Sequence, residues 1–165
     1  MTKSTDDLKA GFAGESQANR KYLAFAKQAD QESHPQVARL FRAAAAAETV
    51  HATNHFRALG EIKSTAENLQ VAINGENYEA VTMYPAFIKD AEAEDDKKAL
   101  RSFSYAWEAE KVHEALYREA LANLGKETEQ FDYYVCPVCG ATFKHNAPDK
   151  CPVCSTLGSK FERVS

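Results

Sequence analysis

The chain lacks the features that would suggest a membrane span, nucleic-acid binding or secretion. Its 165 residues contain no apolar run near the roughly 18 residues of a membrane-spanning helix. The 20 basic residues are outnumbered by 24 acidic ones and form no long Lys/Arg run, which argues against nucleic-acid binding. The N-terminal sequence MTKSTDDLKAGF lacks the charged-then-apolar pattern of a signal peptide, so we expect a cytoplasmic location.

Cysteine is absent from the first 135 residues, and this absence makes the C-terminal cysteines conspicuous. All four lie in two near-identical loops, CPVCG and CPVC, with eleven residues between Cys139 and Cys151. A reducing compartment argues against disulfides, and redox C-x-x-C motifs occur singly before a helix. The spacing therefore predicts a tetrahedral four-thiolate site for iron or zinc, and it does not distinguish the two metals. The ligands would be Cys136, Cys139, Cys151 and Cys154.

Glycine and proline are scarce between residues 5 and 124, where helix-forming residues dominate. The capping signals predict four helices over about 5–31, 35–59, 64–93 and 96–124, the first after Ser4 or Thr5 and the third at a capping box. The charge run over 92–98 is typical of a solvated turn between helices. We expect a helical domain over 1–125, a polar linker over 126–132 and a small cysteine domain over 133–165.

The helical part contains an internal repeat. Glu48-Thr-Val-His51 matches Glu110-Lys-Val-His113 at an offset of 62, as do Tyr22 and Tyr84 with their following residues. Upstream, Gly-Glu15 matches Gly-Glu76 at an offset of 61, so the second copy has one extra residue before Tyr84. Such an insertion predicts a π-bulge, and Glu79 lies inside it. Two copies of one hairpin predict a pseudo-symmetric all-α four-helix bundle.

The repeat also duplicates a set of metal-ligating residue types. Glu48 and His51 share one helix face, as do Glu110 and His113, while Glu15 and Glu76 are matched single acids on the other two helices. This is the ligand pattern of carboxylate bundles that bind two metal ions, because bridging carboxylates offset the repulsion between cations and neutral imidazoles suit iron. The simpler interpretation, exposed acids and incidental histidines, does not explain why the set is duplicated.

Four further residues near this set have less specific signals. Tyr22 and Tyr84 follow the single glutamates by seven and eight residues and could donate hydrogen bonds to ligand carboxylates, or could simply be core tyrosines. Gly14 and Gly75 directly precede the same glutamates. Because glycine weakens a helix interior by about 1 kcal/mol, both glycines suggest a close approach by another group.

At this point the chain resembles the rubrerythrin family over nearly its whole length. The resemblance rests on AGES in the first helix, the two Glu-x-x-His helices, GENYE and MYPAF in the third helix, and the C-terminal YVCPVCG and CPVC. It implies a ferritin-like diiron bundle followed by a rubredoxin-like domain. It also implies that the diiron ligands are seven residues, of which Glu48 and Glu110 would bridge: Glu15, Glu48, His51, Glu76, Glu79, Glu110 and His113. Glu79 and His51 would exchange at one iron as its oxidation state changes.

The resemblance implies a reaction as well. It suggests reduction of hydrogen peroxide to water at two non-haem irons, with one rubredoxin-type iron in the cysteine site relaying electrons. The electrons would come from NAD(P)H through a reductase or a separate rubredoxin. The alternatives are a ferritin-like iron oxidation and storage protein with a structural zinc knuckle, and a zinc-ribbon interaction module. Storage is disfavoured because it needs no dedicated electron relay.

The connection between the second and third predicted helices is short. Helices of 25–29 residues are about 38–44 Å long, whereas Gly60 to Ser64 reach at most about 18 Å. Such a connection cannot return the chain along a bundle. Either the third helix begins with an unwound segment, which its capping box opposes, or two chains exchange hairpins. We expect a domain-swapped homodimer.

Overall fold

A computed structural model describes residues 2–126 and 129–165, which form two compact units. The first unit extends to Lys63 and the second begins at Ser64, so the boundary falls between the two copies of the repeat. Residues 127 and 128 of the predicted linker lie outside the described residues, and the domain division at 125 and 133 remains a prediction. Among the helices of the described part, none is long and apolar enough to cross a membrane.

The first unit is a helical hairpin, hereafter the first hairpin. It consists of α1 (Lys3–Gln31) and α2 (Pro35–Ala58). The start of α1 corrects the predicted one, because Thr2 rather than Ser4 or Thr5 caps the helix, accepting a hydrogen bond from the Thr5 amide. Ala38, Ala45 and Ala52 are all buried on α2. Their spacing of seven places them on one face, where their small side chains let α1 and α2 approach closely.

The second unit opens with the second hairpin. Its first arm comprises α3 (Thr65–Tyr78), a π-helical segment (Glu79–Met83) and α4 (Tyr84–Ala93), and its second arm is α5 (Lys97–Asn123). The predicted capping box is confirmed, since Ser64 and Glu67 exchange side-chain and backbone hydrogen bonds. The predicted π-bulge is also confirmed, and the π segment begins at Glu79.

The rest of the second unit is a small three-stranded module, the knuckle (residues 133–165). Its strands are β1 (Tyr133–Val135), β2 (Thr142–Lys144) and β3 (Glu162–Val164), in the antiparallel order β2–β1–β3. The residue after each second cysteine, Gly140 or Ser155, has positive φ and donates a backbone hydrogen bond to the first cysteine of its loop. The two loops therefore have the same turn, which brings both cysteine pairs together.

The knuckle packs on one face of α5. Tyr105 contacts the buried cysteine cluster, and a side chain at Gly140 would lie 3.7 Å from the Ala109 side chain. Near the end of α5, the Lys144 ammonium forms an ion pair of 2.6 Å with Glu119. Residues 105, 109 and 113 share one face of a helix because they are four apart. The knuckle therefore covers the helix face that also carries His113.

Candidate metal centres

The four cysteines of the knuckle form one compact group. Their sulfur atoms all lie within 4.8 Å of one another, and Cys136, Cys139 and Cys151 are buried. The Sγ atoms of Cys136 and Cys154 are 3.5 Å apart, and those of Cys139 and Cys151 are 3.4 Å apart. A disulfide would require about 2.05 Å. Thiolates around a metal at about 2.3 Å lie nearer 3.8 Å from one another, so the group fits a tetrahedral metal site.

Two of these thiols, Cys139 and Cys154, have pKa values shifted in opposite directions. Burial raises the pKa of Cys139 far above its ordinary value. Burial also acts to raise the pKa of Cys154, but hydrogen bonds from Thr156 outweigh it and lower that pKa to about 6. A cluster that burial penalises when ionised gains most from a cation that shares its charge. The donor set and its electrostatics therefore both fit a bound metal.

The first hairpin brings three of the predicted ligands together. A ligand atom each from Glu15, Glu48 and His51 lies within 4.8 Å of the others. The Nδ1 atom of His51 is 2.8 Å from Glu48 Oε2 and 3.9 Å from Glu15 Oε1. Hydrogen bonds to His51 and to Glu15 lower the pKa of Glu48, which favours its ionised, metal-binding form.

The second hairpin repeats this group with nearly the same geometry. Glu76, Glu110 and His113 lie within the same 4.8 Å limit. The Nδ1 atom of His113 is 2.8 Å from Glu110 Oε2 and 3.9 Å from Glu76 Oε2. Each hairpin therefore holds one single glutamate and one Glu-x-x-His pair around a histidine Nδ1, as the repeat predicts.

The second group is surrounded by additional acidic residues. Burial raises the pKa of Glu76 to about 8, and the neighbouring acids Glu110, Glu79 and Glu114 add to the shift. The pKa of Glu79 is raised as well, by burial and by the charge of Glu110. Carboxylates that resist ionisation when crowded become good ligands once a cation is shared among them. This excess of acids therefore fits a divalent or trivalent metal.

Glu79 lies beside the second group without belonging to its compact triplet. It is the first residue of the π segment, whose wide turn leaves backbone carbonyls without their usual partners. The Trp107 indole donates a hydrogen bond of 2.7 Å to one of these, the carbonyl of Ala80. Trp107 thus holds the π segment against α5, directly after Glu79. No spacing in the sequence predicts this role for Trp107, although a single tryptophan in 165 residues is a usable signal.

The two predicted tyrosines each contact a matching pair of phenylalanines. Tyr84 contacts Phe87 and Phe103, and its pKa is raised by burial and by the charges of Glu110, Glu79 and Glu76. Its hydroxyl therefore stays protonated near the acidic group. Tyr22 makes the corresponding contacts, with the rings of Phe25 and Phe41. A role for either hydroxyl at a metal remains a prediction.

The close approach predicted at Gly14 and Gly75 is absent from the described residues. A side chain at Gly14 or Gly75 would meet no described atom within 4 Å, so no close approach explains these glycines in the described part of the chain.

Thr142, which no sequence pattern singled out, lies with its Oγ1 3.0 Å from His113 Nε2. A threonine in a short strand has no signal that reveals such a contact.

Comparisons with known proteins agree with this arrangement of sites. Residues 6–121 match the family model "Rubrerythrin", and residues 134–162 match "Rubrerythrin, rubredoxin-like domain". Rubrerythrin-2 of Clostridium acetobutylicum is 36% identical, over 96% of this chain and 95% of that protein. Nigerythrin of Nitratidesulfovibrio vulgaris is 37% identical, over 90% of this chain and 80% of that protein. A solved structure of fully reduced, all-ferrous nigerythrin matches with a TM-score of 0.60 at 35% identity, over 99% of this chain and 88% of that one. The chain, with its carboxylate-histidine groups and its four-cysteine knuckle, belongs to the rubrerythrin family.

Proposed function

We propose that this chain is a non-haem diiron peroxidase that reduces hydrogen peroxide to water. Members of the rubrerythrin family are oxidoreductases, and the chain matches this family over most of its length. The observation that carries the proposal is the pair of matched carboxylate-histidine groups in a chain that also has a four-thiolate site. An iron-storage protein would need the first feature but not the second.

The ligands of the two irons would be the six grouped residues together with Glu79. Glu48 and Glu110, each 2.8 Å from the histidine of its own helix, would be the shared carboxylates that membership of this family implies. When bound, the irons would supply electrons and Lewis acidity, so that peroxide, two electrons and two protons give two water molecules. The carboxylates offset the positive charge, and Tyr84 remains a protonated hydrogen-bond donor beside them. Glu79 and His51 would exchange at one position, as membership of this family implies.

The cysteine site would relay electrons rather than bind substrate. Four thiolates leave no open coordination position, so a metal held there cannot bind peroxide. Iron in this site can change oxidation state, whereas zinc cannot. The electrons would come from a rubredoxin or an NAD(P)H-dependent reductase. Such a system is consistent with the cytoplasmic location that we propose.

We further propose a homodimer in which each diiron site combines the first hairpin of one chain with the second hairpin of the other. Residues 59–64 connect α2 to α3 and reach only about 20 Å. The arm from α3 through α4 is about 44 Å long. The formed capping box supports a helical rather than an unwound start to α3, as this proposal requires. Large apolar side chains of both hairpins, including Leu40 and Val81, are more than 60% exposed in the single chain, which supports a partner.

The catalytic proposal is tested by following NADH consumption when peroxide is added to the full-length protein with a rubredoxin reductase system. We expect peroxide-dependent turnover and about three irons per chain. In Cys151→Ser, the reduced carboxylate site should be oxidised once by peroxide, and turnover should then stop. Full turnover in Cys151→Ser would remove the relay role, and zinc in the cysteine site of the active protein would do the same.

A further inference from the structure

A hydroxyl of the knuckle contacts the histidine of the second carboxylate group. Thr142 Oγ1 lies 3.0 Å from His113 Nε2 and 3.0 Å from the backbone carbonyl of Gly140. The other ring nitrogen of His113, Nδ1, faces Glu110 and Glu76. The imidazole therefore lies between the acidic group on one side and the knuckle on the other.

The proton inventory of this contact decides which ring nitrogen can bind a metal. A threonine hydroxyl has one proton to donate, and a backbone carbonyl can only accept. When the Thr142 hydroxyl donates to the Gly140 carbonyl, its oxygen can only accept from His113, so the ring proton must be on Nε2. Nδ1 faces the carboxylates, and its 2.8 Å contact with Glu110 Oε2 also requires a proton in the metal-free chain. A metal that binds Nδ1 would displace that proton, so that Nδ1 offers a lone pair while Nε2 keeps its proton. A neutral histidine binds a metal through such an unprotonated nitrogen.

We propose that Thr142 is a positioning residue that fixes the Nε2–H tautomer of His113, so that the folded knuckle prepares Nδ1 as a metal ligand. The proposal rests on the metal-binding role proposed above for His113. Hydrogen-bond partners of this kind fix the tautomer and ring orientation of metal-binding histidines. Here the partner comes from the domain that holds the second metal site. Assembly of the cysteine site is thereby coupled to assembly of the carboxylate site.

Contacts on both sides of Thr142 hold its hydroxyl in place. The packing of Gly140 on Ala109 fixes the loop before it, and the ion pair of Lys144 with Glu119 fixes the end of its strand. Tyr105 joins α5 to the cysteine cluster itself. A metal in the cysteine site would hold these loops together, and the same loops place Thr142 beside the histidine.

The equivalent histidine of the first hairpin has no such support in the described structure. The hydrogen bond and ion pairs of His51 all involve Nδ1, with Glu48 and Glu15. Its side chain is 53% exposed, compared with 27% for His113. The contact thus distinguishes a histidine held on both ring nitrogens from one held through Nδ1 alone among the described residues.

The test compares metal binding by full-length protein whose cysteine site is loaded with zinc. Co(II) is added without oxygen and followed by its d–d absorption bands in wild type, Thr142→Val and Thr142→Ser. We expect about tenfold weaker Co(II) binding in Thr142→Val and near-wild-type binding in Thr142→Ser, which retains the hydroxyl. Thr53→Val is the matched control, because Thr53 lies two residues after His51 and its hydroxyl donates to the backbone carbonyl of Thr49. The Co(II) affinity of the Thr53→Val protein should equal that of wild type.

A second readout addresses the tautomer directly. In zinc-saturated protein labelled with ¹⁵N-histidine, the His113 Nε2–H should exchange slowly with water in wild type and Thr142→Ser, and faster in Thr142→Val. Equal Co(II) affinity and equal exchange in wild type and Thr142→Val would overturn the proposal, as would a Thr142→Ser protein that behaves like Thr142→Val. If Thr142→Val loses its zinc, Thr142→Ala decides by the same readouts. Absence of Co(II) binding in wild type would instead refute the proposed carboxylate site.

Discussion

The two hairpins build the same ligand group in different surroundings. In each, a histidine Nδ1 lies 2.8 Å from the glutamate three residues earlier and 3.9 Å from a single glutamate on the other arm. In the first group the shifted acid is Glu48 of the Glu-x-x-His pair, whose pKa is lowered, whereas in the second it is the single glutamate Glu76, whose pKa is raised to about 8. The difference arises because the second group is more buried and has Glu79 and Glu114 as additional acidic neighbours. The repeat thus preserves geometry while it changes the electrostatics.

The hydrogen bond between the arms also differs. In the first hairpin, Asn19 on α1 donates to the backbone carbonyl of Ala45 on α2, at 2.7 Å. In the second, Trp107 on α5 donates to the carbonyl of Ala80 on the π segment, also at 2.7 Å. By the repeat offsets, Ala80 corresponds to Asn19 and Trp107 to Ala45. The direction of the bond is reversed because the π segment supplies a carbonyl that needs a donor.

The prediction with the largest expected effect concerns whether the two hairpins of one carboxylate site come from different chains. Glu48→Ala damages only first hairpins, and Glu110→Ala damages only second hairpins. If chains exchange hairpins, a mixed dimer of the two variants has one doubly damaged site and one intact site. Refolding the two variants together should therefore restore peroxide turnover that each lacks alone.

The control is to refold each variant separately and mix the products afterwards, which should restore nothing. If each chain builds its own bundle, every site keeps one damaged hairpin under both protocols. No recovery after joint refolding would refute the exchange of hairpins when refolded wild type is active. If refolded wild type is also inactive, the proposed metal ligands themselves are in question.

Much of the site was predictable because it depends on spacing within helices. The positions of Glu48, His51, Glu110 and His113 follow from a helical repeat of three to four residues, and the π segment follows from a one-residue insertion. The contact between Thr142 and His113 was not predictable, because it depends on how the knuckle packs on α5. The same holds for the raised pKa of Glu76, which depends on burial and on charges from other turns.

The second prediction tests whether Trp107 sets the π segment. Trp107→Phe keeps an aromatic ring but leaves the Ala80 carbonyl without its donor, which should lower the free energy of unfolding by roughly 1–3 kcal/mol. Asn19→Ala is the matched control, because it removes the corresponding bond of the first hairpin. Denaturant unfolding should show losses in both variants. Only Trp107→Phe should also shift the reduction potential of the carboxylate-bound irons, since only that change affects the support of Glu79. An equal shift in both variants would contradict a specific role for Trp107.

The smallest predicted effect is the pH dependence of the metal-free protein. The folded-state pKa of Glu76 is about 8, above its ordinary value of 4.5, so the folded state binds more protons than the unfolded state between these values. The free energy of unfolding should therefore decrease as pH rises from about 5 to 8. Glu48 has a lowered pKa, so its stabilising contribution is lost only at more acidic pH, as pH falls below about 4.5. Urea unfolding of metal-free wild type and Glu76→Gln across this range measures the difference. A slope that persists unchanged in Glu76→Gln would show that the asymmetry between the two hairpins does not arise at this carboxylate.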